Sequence, residues 1–103
     1  MDAPRTEYLT RFMALAPEPL PDDAADALRE ALEGMPGTGA IHGATHDHGA
    51  RTVSGEFLIE VEHGIANAAR DASRLARESL KNAGLGDAQL VELWVSLRGE
   101  PAW

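Results

Sequence analysis

The feature that most constrains the fold is the order of secondary-structure patterns along the chain: strand, helix, two strands joined by a tight turn, helix, strand. These six patterns use nearly all of the 103 residues. We therefore expect a single domain over 1–103, with its core at about 6–98 and a short tail at 99–103. Two adjacent strands between two helices are typical of an α+β fold with an antiparallel sheet.

The first half of the chain predicts a strand over 7–16 and a helix that begins near Pro21. The strand mixes apolar and β-forming residues without a clean period of two, which is typical of a strand covered on both faces. Pro21 suits the first turn of a helix and Gly34 suits its end. The apolar residues of this helix follow the spacing of one buried stripe: Ala24, Ala27, Leu28, Ala31, Leu32 and Met35.

The middle of the chain predicts a β-hairpin. Its two strands span 39–45 and 52–62. If Ile41 lies opposite Phe57 on the buried face, residues 48–50 form a three-residue loop, in which Gly49 takes the positive φ that the turn requires.

The last third predicts a helix over about 65–83 and a strand over 89–97. The buried stripe of the helix is expected to comprise Ile65, Ala69, Ala72, Ala76 or Leu75, Leu80 and Ala83. In the strand, strict alternation places Leu90 and Trp94 together on the face turned away from the helices.

This βαββαβ order resembles the ferredoxin-like fold, which implies a four-stranded antiparallel sheet of spatial order 4-1-3-2 with two helices on one face. Eight arginines against one lysine, beside 18 alanines, make the chain similar to small uncharacterised ferredoxin-like proteins of high-GC actinobacteria and their phages. The resemblance is one of pattern and implies no site residue. The segment 55–61 matches the aromatic strand of RNA-recognition domains only in outline, because it lacks the basic residue and the second aromatic.

Charge and composition exclude several function classes. Nine basic and 17 acidic residues give a net charge of −8, which repels nucleic-acid backbones and anionic membrane surfaces and favours a protein partner with a basic surface. The absence of cysteine excludes disulfides, thiolate metal sites and cysteine nucleophiles. No leader pattern and no run of roughly 18 apolar residues is present, so we expect a soluble, cytoplasmic protein.

Three histidines, His42, His46 and His48, form the one polar cluster that could bind a metal. In a continuous strand, residues with even numbers share a face. His46 and His48 would then lie roughly 6.6 Å apart and could share a Zn²⁺ or Ni²⁺ ion, whereas His42, roughly 13 Å from His46, could not share that ion in a flat strand. Any single site would therefore need further ligands, such as Glu56, Asp47 or a second subunit. The alternative is that the histidines are solvated residues that protect an edge strand and its turn.

Trp94 is the centre of a predicted interface on the sheet face away from the helices. Leu90 and Leu58 are expected beside it, together with either Leu9 and Met13 or Tyr8 and Phe12 from the first strand. The interface candidates are therefore Trp94, Leu90, Leu58, Met13 and Phe12. A patch of several hundred Å² on this face would favour homodimerisation or a bound partner. The alternative is that the tail, with Pro101 and Trp103, folds back over Trp94.

The sequence thus favours a non-catalytic, acidic, protein-binding or accessory module that dimerises through its sheet. By analogy, a phage-encoded host modulator would suit the size and charge of the chain. The sequence shows no nucleophile paired with a general base, as an enzyme would require. No cofactor is expected apart from the Zn²⁺ or Ni²⁺ ion of the histidine hypothesis. A metal-binding or metal-sensing protein is the second hypothesis. A small-molecule-binding enzyme of the dimeric ferredoxin-like type is the third, and a cavity beside Trp94 and His42 would support it.

Overall fold

The structure is a computed structural model that describes residues 6–61 and 64–97. Its elements are β1 (Thr6–Leu15), α1 (Ala24–Glu33), β2 (Thr38–Asp47), β3 (Thr52–Val61), α2 (Gly64–Asn82) and β4 (Gln89–Leu97). The strands form an antiparallel sheet of order β2-β3-β1-β4. The α+β class, the order of the six elements and the order of the strands are therefore as predicted. The predicted tail at 99–103 lies outside the described residues.

Both helices pack against the same face of the sheet. One core cluster contains Leu28 of α1, Leu75 of α2, and Phe12 and Phe57 of the central strands. The two phenylalanine rings meet edge to face, with centroids 6.2 Å apart, a favoured geometry for aromatic pairs. Gly55 makes room for them, because a Cβ at this position would lie 2.7 Å from Cε1 of Phe12.

Strand β1 does not have two covered faces, and that prediction is wrong. Its side chains alternate between buried and partly exposed positions along Thr6–Leu15. The buried set is Tyr8, Thr10, Phe12 and Ala14. The intervening residues lie on the other side of the sheet. They are more exposed, because both helices cover one side of the sheet only.

A β-bulge in β2 separates the histidines that the sequence placed on one face. Ile41 pairs with Phe57 as predicted, but the register then shifts, so that Gly43 pairs with Glu56 and His46 with Val53. Gly43 has a φ of +156°, a conformation that glycine adopts without steric cost. Because Val53 is a core residue, the shift turns His46 toward the helices.

A bulge in β4 reverses the side chain of Leu90. Met13 pairs with Glu92, whereas the next residue, Ala14, pairs with Leu90, so that Val91 is the extra residue. Leu90 consequently faces the helices and packs against the core. The prediction that Leu90 shares a face with Trp94 is wrong, because it assumed uninterrupted alternation.

The connections and the long helix also differ in detail from expectation. The hairpin loop spans the four residues 48–51, and Arg51, not Gly49, has the positive φ, at 56°. The buried stripe of α2 comprises Ala68, Ala72, Leu75, Ala76, Ser79 and Leu80. Ile65, the predicted first member, is 52% exposed. None of the described helices is long and apolar enough to span a membrane.

Candidate interaction surface and histidine pair

The sheet face opposite the helices carries the residues with the strongest claim to function, and we call it the open face. The side chains that the strand register assigns to it include Leu9, Arg11, Met13, Leu15, Ser54, Glu56, Leu58, Glu92, Trp94 and Ser96. Trp94 is 64% exposed and Leu15 is 42% exposed. Exposed apolar residues that share one face, as Trp94 and Leu15 do, mark that face as a candidate interface.

A row of four side chains crosses the open face from one edge strand to the other. Trp94 pairs with Arg11, and Arg11 pairs with Glu56. Nε of Arg11 donates to Oε2 of Glu56 at 2.9 Å, while Nδ1 of His42 lies 3.2 Å from the other oxygen, Oε1. One carboxylate therefore links strands β1, β2 and β3.

Glu56 is held in its ionised form by this row. The hydrogen bond from Arg11 is the largest cause of the lowered pKa of Glu56, and the contact with His42 also lowers this pKa, while partial burial opposes both. A carboxylate with both oxygens engaged is poorly suited to act as a general base. Its arrangement is that of a structural anchor that orients Arg11 beside Trp94.

Two depressions adjoin this row and share Arg11 and Ser54. The larger, of about 580 Å³, is lined by Arg11, His42, Gly43, Ala44, Thr45, Ser54, Gly55 and Glu56. The smaller, of about 280 Å³, is lined by Arg11, Phe12, Met13, Ser54, Glu92 and Trp94. Both are open to solvent, so they differ from the enclosed, mostly apolar cavity in which enzymes usually bind a small molecule.

The structure brings only part of the predicted interface together. Trp94 and Met13 lie on the open face, and Leu58 lies there too but is only 3% exposed. Phe12 is 1% exposed and belongs to the core under the helices, so its inclusion was wrong, as was that of Leu90. Arg11 was missed, although the cross-strand position between Trp94 and Glu56 would have identified it had the register been known.

The predicted metal ligands His46 and His48 are neighbours. Their Nε2 atoms lie 3.1 Å apart, and the rings are nearly perpendicular. The Nδ1 atom of His46 accepts a hydrogen bond from the backbone N–H of Ala25 at 3.0 Å. An imidazole that accepts at Nδ1 carries its proton on Nε2 when neutral, so His46 donates to His48.

His46 therefore caps α1 from a distant strand. The first N–H groups of a helix lack partners within the helix, and the residue before α1, Asp23, makes no side-chain cap. The imidazole of His46 fills that role across 21 positions of sequence. Sequence patterns identify local caps only, so this contact left no signal in the sequence.

This hydrogen bonding does not suit a metal site. A histidine that binds a metal usually donates its second N–H to an oxygen, whereas His46 accepts at that position. His42 lies on the other side of the sheet with Glu56, so the idea that all three histidines share a face is wrong. Among residues 6–61 and 64–97, no group of three or more His, Asp or Glu side chains is placed to hold an ion.

Neither models of known protein families nor curated proteins match this sequence. Candidate functions are therefore distinguished by the geometry of the open face and of the histidine pair.

Proposed function

We propose that this protein is a non-catalytic, acidic interaction module of the ferredoxin-like type that forms a homodimer through the open face and acts by binding another protein. The observation that carries the proposal is Trp94, which is 64% exposed on the face opposite both helices. The Ala- and Arg-rich composition supports an origin among high-GC actinobacteria or their phages, where an accessory or inhibitory role toward a host protein suits the size and charge of the chain.

The apolar part of the open face supports association. Trp94 and Met13 together line the smaller depression. Leu15, two residues after Met13 in β1, is also exposed. Burial of apolar surface contributes roughly 25 cal/mol per Å², and aromatic side chains contribute most to interfaces. A partner that covers Trp94 would therefore gain more there than at other single positions of this face.

The charges of the open face favour a second copy as the occupant. Arg11 pairs with Trp94, and Glu92 lies two residues from Trp94 on the same strand. In a twofold dimer the same patch meets itself. A twofold axis close to Trp94 would let Arg11 of each copy approach Glu92 of the other, so the face can complement its own charges.

Substitution of Trp94 tests the dimer. Trp94→Glu should yield a folded monomer, because it places a charge at the centre of the interface. Ile65→Glu, at an exposed apolar residue of α2, should leave the dimer intact. Sedimentation equilibrium at micromolar concentration gives both masses, and circular dichroism confirms folding. The proposal fails if Trp94→Glu remains dimeric or if both variants dissociate equally.

A metal-binding or metal-sensing protein is the second candidate. The observation in its favour is the 3.1 Å separation of the two Nε2 atoms, close to the roughly 3.3 Å between two nitrogens that share a tetrahedral Zn²⁺. Binding would require the Nε2 proton of His46 to leave and the hydrogen bond from Ala25 to be replaced. Calorimetry with Zn²⁺ and Ni²⁺, with His48→Ala as the control, tests it, and a dissociation constant weaker than about 10⁻⁴ M would exclude sensing.

A further inference from the structure

Helix α2 carries a row of positive charge, which we call the α2 stripe. It comprises Arg70, Arg74, Arg77 and Lys81. Steps of four, three and four residues place all of them along one side of a helix, over a length of about 17 Å. All four side chains are exposed, so the stripe faces outward from the helical layer.

The stripe is a local exception in an acidic protein. It contains four of the nine basic residues of the chain, while 15 of the 17 acidic residues lie outside α2. The two acidic residues within α2, Asp71 and Glu78, lie about 80–100° around the helix from Arg70. Within α2, the stripe therefore has acidic neighbours on one flank only, and its own row is free of negative charge.

Most of the charge on the stripe is not neutralised within the described part of the chain. Among the described residues, Arg74 forms an ion pair with Glu78 at 3.7 Å, and both side chains are more than half exposed. Such a pair contributes little. Arg70, Arg77 and Lys81 have no ion-pair partner among the described residues, so three cations are available to a ligand.

The end of the stripe borders a depression between α2 and the start of β4. Its volume is about 470 Å³, and its lining comprises Arg77, Leu80, Lys81, Gly86, Ala88, Gln89 and Leu90. Two cations beside leucine side chains suit a ligand group with a carboxylate on an aliphatic stem. This shape is a second observation, independent of the spacing of the charges, and it points to an acidic side chain.

We propose that the α2 stripe binds an acidic helical segment of a partner protein, with carboxylates along one side at matching steps of four and three residues. A nucleic-acid backbone is longer than the stripe and would be repelled by the rest of the molecule, because the net charge of the chain is −8. A helix of the same length ends where the stripe ends. The inference rests on the proposed role in protein binding, but it uses a surface separate from the open face.

A pair of designed peptides tests the proposal. The first is an alanine-based helix of about 18 residues with glutamates in one row at the stripe's steps, and the second has the same composition with the glutamates spread around the helix. Fluorescence anisotropy of the labelled peptides at about 20 mM NaCl, where charge pairing is least screened, should show binding of the first at least about fivefold tighter than the second. The combined variant Arg77→Gln and Lys81→Gln should weaken that binding about fivefold, whereas Arg29→Gln, at an exposed arginine of α1, should not.

Three outcomes would overturn the proposal: equal binding of the two peptides, an equal loss with Arg29→Gln, or tighter binding of a short DNA duplex than of the first peptide. Circular dichroism excludes unfolding of the variants as a cause. Because Trp94→Glu leaves the stripe intact, the same titration on that variant separates failure of the stripe from failure of the dimer. A wild-type protein that is monomeric and still prefers the first peptide would retain this inference and remove only the proposed dimer.

Discussion

The two faces of this sheet differ in what their side chains do. The face under the helices buries Phe12, Val53 and Phe57 almost completely. The open face presents an ion pair from the same two strands, β1 and β3, and an exposed indole from β4. Burial of apolar surface is the main source of folding free energy, so the helix face determines stability. The open face contributes less to stability, and its residues are accordingly available for a partner.

The largest expected effect comes from two neighbours in β1 that lie on opposite faces. Phe12→Ala should lower the free energy of unfolding by about 3–5 kcal/mol, because it leaves a cavity in the core. Met13→Ala, on the half-buried open face, should cost about 1 kcal/mol. Urea denaturation of both variants checks this, and equal losses would contradict the assignment of the two faces.

Two histidines of β2 extend the comparison to polar contacts. His46→Ala removes the hydrogen bond that caps α1 and should lower the free energy of unfolding by about 1 kcal/mol. His42→Ala removes only an exposed contact with Glu56 and should cost less than half as much. Thermal unfolding followed by circular dichroism compares them, and a larger effect of His42→Ala would refute the role of His46 as a cap.

Thr10 has an unsatisfied hydroxyl group on the buried face of the sheet, and replacing this hydroxyl should stabilise the protein. Its side chain is fully buried, and among the described atoms its hydroxyl has no hydrogen-bond partner. Thr10→Val should raise the free energy of unfolding by about 1 kcal/mol, because an unsatisfied buried hydroxyl is replaced by a methyl group. Ser79→Ala is the matched control, since the buried hydroxyl of Ser79 donates to the carbonyl of Ala76 and its loss should not stabilise.

The smallest effect concerns Glu56 on the open face. Its pKa is lower in the folded state than the ordinary value of 4.5, so its contribution to stability is present above pH 4.5 and is lost as the pH falls through the folded pKa. Glu56→Gln should therefore reduce the free energy of unfolding by less than about 1 kcal/mol at neutral pH. Urea titrations of both proteins should converge under acidic conditions, and a difference that grows in acid would contradict the sign.

The sequence predicted the elements better than the faces. Periodicity and the placement of proline and glycine located all six elements, because these signals are local. Strict alternation of side chains does not predict the bulges at Gly43 and Val91, and each bulge reverses the side chains on one side of it. That reversal removed Leu90 from the predicted interface and separated His42 from His46. Trp94 lies beyond the bulge in β4 and stayed on the open face with Met13 of β1.

Contacts between residues distant in sequence account for the remaining differences. The cap that His46 provides and the row from Trp94 through Arg11 to Glu56 depend on strand register, which composition and spacing do not specify. The charge of the α2 stripe, in contrast, can be predicted from the sequence once the helix is assigned. A net charge of −8 conceals it, because a total says nothing about distribution.

The mass of the wild-type protein in solution tests the central claim most directly. Light scattering after size exclusion, at several micromolar concentrations and with or without Zn²⁺, distinguishes association through the open face from association through a metal bound to the histidine pair. We predict twice the monomer mass in both conditions, because the open face should associate without a metal. A monomer without metal, whether or not Zn²⁺ then induces association, would contradict the claim.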